Sequence, residues 1–138
     1  MPQPFLHYRN IYYVELRGEA GMGRDDGLLG AFEELVLLAV VRGQGDAYGM
    51  TVRREIEERS GRSVTIGAVY ATLDRLEGKG LVSSRVGASD ESRRGRARRH
   101  FRVLPAGVDA LEATRVARDG LWDGVDLSGS ISDGGGAS

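Results

Sequence analysis

From Leu28 to Val41 the chain sets an apolar residue on nearly every side of any helix it forms. Leu28, Leu29, Phe32, Leu35, Val36, Leu37, Leu38, Ala39, Val40 and Val41 leave almost no polar face. Glu33 and Glu34 fall in its first turns, where carboxylates suit the helix dipole. Such a helix must be covered on all sides. One side serves the chain's own core; the other needs a second cover, and a partner subunit is an obvious one. The longest uninterrupted apolar run, Leu35 to Val41, has seven residues, far fewer than the roughly 20 of a membrane helix. Burial in protein is therefore expected, with no membrane partner and a cytoplasmic location. Gly43-Gln44-Gly45 closes the segment.

Beyond Gly45 the chain is a succession of short elements. Asp46 is an expected N-cap for a helix over Ala47 to Arg59, with Met50, Val52 or Arg53, and Ile56 inward and Gly61 as its terminating residue. Arg62-Ser63-Val64 links it to the next helix. Thr65 is the expected N-cap there, and Ile66, Val69, Tyr70, Leu73 and Leu76 recur at helical spacing until Gly78 and Gly80. The opposite face carries Gly67, Ala68, Ala71, Thr72 and Arg75. Small residues there let the helix approach another surface closely.

Leu81 to Val86 and Arg99 to Leu104 alternate as strands do, and Gly87 to Arg98 between them is rich in Gly, Ser and Arg. These make an antiparallel hairpin with a long basic tip. Pro105 opens a last helix, for which Val108, Leu111, Thr114, Ala117 and Leu121 form the expected inner stripe and Gly120 an interruption. The predicted fold class is mainly α with a small β-hairpin. The order of helix, helix, helix, hairpin and helix is that of a winged helix-turn-helix with one further helix after it. In such modules the second helix of the pair enters the DNA major groove and reads base edges with its N-terminal residues.

The charge distribution agrees. The formal net charge is −1, which by itself argues against a nucleic-acid partner. Residues 1–61 carry seven basic and ten acidic side chains, residues 62–102 ten and four, and residues 103–138 two and six. The central segment is thus at +6 between two acidic ones. With no cysteine, and with His7 and His100 far apart, no disulfide, thiol nucleophile, metal site or cofactor is expected. No carboxylate pair stands beside a nucleophile, so the sequence contains no basis for an enzyme.

The chain resembles the PadR family of bacterial transcriptional regulators. The matching stretches are Phe32 to Ala39, Asp46 to Gly49, Val69 to Val82 and Gly95 to Gly107, within residues 28–123. The third is the most specific, with a Tyr five residues after an N-cap, then Leu-x-x-Leu-Glu and a glycine-led strand. The resemblance implies a homodimeric repressor on an inverted-repeat operator, with the C-terminal helix packing against the partner's first helix. It also implies that double-stranded DNA is the partner and that a small hydrophobic effector can release it. Three departures stand out, one of them a last helix that is short and interrupted by Gly120. The family has Gly then Tyr where this chain has Tyr48 then Gly49, and Thr where this chain has Leu104, which cannot cap.

The expected organisation is an N-terminal extension over 1–27, a winged helix-turn-helix over 28–104, a dimerisation helix over 105–123 and a disordered tail over 124–138. Met22 is a second candidate translation start. Candidate DNA-reading residues are Thr65, Gly67, Ala68, Tyr70, Ala71 and Arg75, and candidate wing residues are Arg93, Arg94, Arg96, Arg98 and Arg99. Leu28, Phe32, Leu111, Leu121 and Trp122 are candidate dimer contacts. Each has a plainer alternative. Tyr70 packs on the core, Arg75 pairs with Asp74 or Glu77, the arginines decorate a solvated loop, and Trp122 covers the core. His100 is expected with its ring at the surface. Two rival readings remain open at this point: a winged-helix protein-interaction module without DNA binding, and a small-molecule sensor. Heparin-competed mobility shift separates the first from a DNA-binding protein.

Overall fold

The computed structural model describes residues 27–87 and 98–130. Helix α1 spans Ala31–Arg42, α2 Gly49–Ser60, α3 Ile66–Gly78, strand β1 Val82–Val86, β2 Arg99–Val103 and α4 Pro105–Trp122. The strands pair antiparallel, with Ser84 opposite Phe101 and Val82 opposite Val103. This is the predicted winged helix-turn-helix order.

Helix α1 begins three residues later than expected. Gly30 takes the N-cap position, its N–H donating to Glu33 Oε1 at 3.1 Å. Leu28 to Gly30 are not helical, which lets Leu29 bury itself while its N–H donates to Thr114 Oγ1 of α4 at 3.0 Å. Helix α2 also starts late, and Asp46 is not its cap. Ala47 is instead bridged to β2, with the Phe101 N–H donating to its carbonyl at 2.7 Å. That contact keeps the backbone extended through Tyr48. The Thr51 hydroxyl then closes the helix end, accepting from the Tyr48 N–H and donating to the Tyr48 carbonyl, both at 2.9 Å. Gly61 ends α2 in the left-handed conformation expected of it. Thr65 caps α3 as expected, its hydroxyl accepting from the Ala68 N–H at 3.1 Å.

The core joins Val36, Leu37 and Val40 of α1, Val52 and Ile56 of α2, and Val69, Leu73 and Leu76 of α3 to Val82, Phe101 and Ala110. Thr72 belongs to this interior and not to the outer face of α3, where its small size suggests it.

Helix α4 corrects two expectations. It runs for 18 residues without a break at Gly120, since one interior glycine costs a helix only about 1 kcal/mol. Its buried stripe is Gly107, Ala110 and Thr114, while Val108 and Leu121 point outward. The stripe is set by Gly107, where a Cβ would overlap the Leu81 carbonyl and lie 2.7 Å from Val103 Cγ2. Leu104 gives α4 no side-chain cap. Its side chain is buried and its N–H donates to the Leu81 carbonyl at 2.9 Å, so the position serves packing instead. Where a disordered tail was expected from residue 124, residues 127–130 form one exposed helical turn.

Candidate nucleic-acid interface

The outward face of α3 is set by its core contacts. With Val69, Thr72, Leu73 and Leu76 buried, Gly67, Ala71, Asp74 and Gly78 run along the middle of the exposed side. Ala68 and Arg75 flank them on one edge and Tyr70 on the other. A Cβ added at Gly67 would meet nothing within 4 Å. The first two turns therefore present a low, nearly featureless surface, with Thr65 at the open N-terminal end.

Tyr70 stands beside this surface. Its ring lies against Gly49 at the start of α2, where any Cβ would overlap it, yet the residue stays 38% exposed. The ring thus packs between helices while part of it remains open to solvent. This also accounts for the Tyr48-Gly49 order. Gly49 must be bare to receive Tyr70, and Tyr48 faces the hairpin, where the Arg98 guanidinium sits 4.0 Å above its ring centroid.

Two arginines assigned to DNA from the sequence are held by carboxylates within the fold. Arg75 pairs with neither Asp74 nor Glu77 but with Glu33 of α1, Nε to Oε2 at 3.3 Å. Lys79 reaches the same oxygen at 3.0 Å. Arg99 joins Asp74 at 3.2 Å and Glu77 at 2.7 Å, and its guanidinium lies 4.9 Å from the Phe101 ring centroid. It braces the hairpin against α3 and neutralises the one carboxylate in the middle of the outward face. Spacing along the chain cannot reveal either pairing, because both partners are distant in sequence. Arg93, Arg94 and Arg96 lie outside the described residues.

Sequence reasoning passed over Arg54 and Arg62. Both are exposed, and neither has an ion pair among the described residues. Arg62 is in the turn that leads into α3, and the available signal was its place three residues before the Thr65 cap. Glu57 holds that turn in shape, since its carboxylate accepts from the Val64 N–H at 3.1 Å. That bond, helped by Arg53 and opposed by desolvation, keeps the Glu57 carboxyl below its ordinary range.

Glu33 is the electrostatic anchor of α3. Burial pushes its carboxyl up, but the Gly30 N–H, Lys79 and Arg75 outweigh this and hold it below the ordinary range. A depressed carboxylate contributes stability that is present above its unfolded value, near 4.5, and is lost as pH falls through the folded one. Glu33→Gln is expected to cost about 1–2 kcal/mol at neutral pH. In urea melts across pH, the gap between the two proteins should close on acidification; a gap constant with pH would show that the charge contributes nothing.

The candidate dimer contacts divide. Phe32 and Leu111 are half-buried against this chain's own core. Leu28 is exposed, as are Val116 (70%), Leu121 (81%) and Trp122 (55%). Trp122 therefore does not cover the core. With Leu121, Val125 and Leu127 it lines a shallow apolar hollow at the end of α4. Glu34 pairs with Arg118, fastening α4 to α1. His100 is less exposed than expected, its side chain at 15% and its Nδ1 3.0 Å from an Asp46 carboxylate oxygen.

Comparison with known proteins settles the kind of module. A family model described as the transcriptional regulator PadR-like family matches residues 37–113, more than half of the chain. The chain belongs to this family. PadR-like proteins are transcriptional regulators and not enzymes. The transcriptional regulator Rv3488 of Mycobacterium tuberculosis is 40% identical over 76 residues, which are 55% of this chain and 66% of that protein. The chain thus spans just under two thirds of that relative's length. Among solved structures, RosR of H. salinarum is similar over 83% of this chain and 98% of its own, at 25% identity and TM-score 0.54. A PadR family regulator from Clostridium difficile is similar over 68% and 88%, at 25% identity and TM-score 0.51. A PadR-like transcription factor from Bacteroides fragilis shares the fold at 19% identity, TM-score 0.58, over 80% and 92%. The winged-helix PadR architecture is therefore that of this chain. No helix among the described residues is long and apolar enough to cross a membrane.

Proposed function

We propose that this PadR-like protein is a homodimeric, sequence-specific DNA-binding repressor that acts on an inverted-repeat operator in the cytoplasm. The observation that carries the reading is the outward face of α3. Gly67, Ala68 and Ala71 leave its first turns low enough to enter a major groove, whereas a helix that merely faced solvent needs no such run of small residues. Thr65 and Tyr70 supply hydroxyls at the rim. Arg93, Arg94 and Arg96 come after β1 in the sequence, on the connection expected to be the wing. Because Arg75 and Arg99 are held by carboxylates, these three carry more of the wing's phosphate contact than Arg99 does.

The dimer reading rests on Val116, Leu121 and Trp122, large apolar side chains that stand exposed along the outer and distal parts of α4. Two-fold symmetry then requires half-sites one DNA turn apart or a multiple of it. Selection from random duplexes should enrich such a palindrome, and recovery of no symmetric sequence would overturn the operator reading. Replacing Arg93, Arg94 and Arg96 together with alanine should weaken binding to all duplexes and flatten the slope of log K against log salt by about 0.9 for each phosphate no longer neutralised. The exposed face of α3 also fits a protein groove, and a protein that gives no shifted band under heparin competition would favour that second reading.

A further inference from the structure

The two faces of the hairpin differ in a way that the DNA-reading helix does not explain. Directly paired residues of an antiparallel ladder share a face. Val82, Ser84, Phe101 and Val103 therefore lie together on the inner face, toward the core and α3. Ser83 with Arg102, and Arg85 with His100, form the outer face. That face holds two guanidiniums, an imidazole and a hydroxyl, and neither strand adds a carboxylate to it. Arg85 and Arg102 are diagonal neighbours, a placement in which like charges repel. Nothing in the fold requires this. Among the described residues, Arg102 Nε reaches only the Ser83 hydroxyl, at 3.3 Å. The strands and Gly45 enclose a cleft of about 350 Å³ over these residues.

One carboxylate approaches from outside the hairpin. Asp46 sits 3.0 Å from His100 Nδ1 and 3.6 Å from the Arg85 guanidinium. The first contact fixes the ring of His100. The second is long and exposed, so an arriving anion can draw Arg85 away from it at little cost.

We propose that the outer face of the hairpin is a phosphate-binding site built from Arg85, Arg102, His100 and the Ser83 hydroxyl, with Asp46 as its internal competitor. Arginine suits the task because its planar donor fork matches phosphate oxygens two at a time. A phosphate reaches this face either as a backbone phosphodiester of bound DNA or as a free phosphorylated ligand. The first source rests on the DNA-binding reading above; the second does not.

The test uses the full chain and inorganic phosphate at constant ionic strength, with chloride as the control. The ring resonances of His100 and the guanidinium resonances of Arg85 and Arg102 should shift and saturate with phosphate, with a dissociation constant on the order of millimolar. Arg85→Gln with Arg102→Gln should abolish saturation without changing the melting temperature. Asp46→Asn should tighten phosphate binding by roughly threefold to tenfold, because it removes the opposing charge. A purely structural role for Asp46 would not produce that gain. Absence of saturation, or an Asp46→Asn affinity equal to or below wild type, overturns the site. For DNA as the source, the double arginine variant should flatten the salt slope by about 0.9 per arginine. An unchanged slope in that variant, beside phosphate saturation of the wild type, rejects DNA and assigns the site to a free phosphorylated ligand. A protein that binds no DNA at all overturns the repressor reading, and the phosphate titration still decides this one.

Discussion

Phe101→Ala is expected to cost about 3–5 kcal/mol, the usual loss for a large aromatic side chain removed from a core. That is a large share of the roughly 5–15 kcal/mol that holds a domain together. Phe101 has no exposed surface and is the largest fully buried side chain among the described residues. It also joins three parts of the fold. Its ring packs within the cluster shared by the three helices of the winged module, and its N–H holds Ala47 and so the non-helical entry to α2. Above its ring lies the Arg99 guanidinium, itself tied to Asp74 and Glu77 of α3. Removal leaves a cavity that a β-strand position cannot close by sliding, because its register is set by pairing along the whole hairpin. Urea unfolding should show a lower midpoint at an unchanged slope. Phe101→Leu, which fills most of the space, should lose less than half as much. A cost for the alanine variant below about 1 kcal/mol would mean that the hairpin is not anchored through this ring.

The sequence revealed most where a pattern repeats locally. The periodicity of Val69, Leu73 and Leu76 gave α3 and its cap, and the alternation on either side of the glycine-rich link gave both strands to within a residue. It failed where a distant partner overrode a local signal. Asp46 is a good cap by residue type, but the bridge between Ala47 and Phe101 keeps that backbone extended. Thr72 is a different failure, because residue type suggested the outer face while helical spacing itself places it with Val69 and Leu76 on the buried side. The stripe of α4 was displaced toward Gly107 because the close approach of Leu81 admits only a glycine there. The candidate site shows the same division. The small face of α3 was legible, since helical spacing alone dictates it. The engagement of Arg75 by Glu33, and of Arg99 by Asp74 and Glu77, was not, because net charge counts residues without saying which are already neutralised.

That distinction is what makes Ala71→Glu the more informative change on the proposed DNA-reading face. Ala71 is exposed at the middle of that face, beside Gly67 and one turn before Arg75. In the free protein the new carboxylate should be harmless. It is directed to solvent, where a substitution away from packed or paired groups usually changes stability by no more than about 0.5 kcal/mol. The melting temperature should therefore stay nearly the same. Against a DNA groove the same carboxylate faces phosphates across a narrow gap, where like charge costs several kcal/mol. At about 1.4 kcal/mol per tenfold, affinity should fall by about 100-fold or more. Ala71→Gln adds nearly the same bulk without the charge, so the difference between the two variants reads electrostatics apart from shape. That difference should narrow as salt is raised, because exposed charges are screened over about 10 Å at 0.1 M. If both variants bind a selected duplex as wild type does while remaining folded, α3 is not the helix that meets DNA. If glutamine and glutamate weaken binding equally, the face is read by its shape, and the low surface made by Gly67, Ala68 and Ala71 is the determinant rather than its charge.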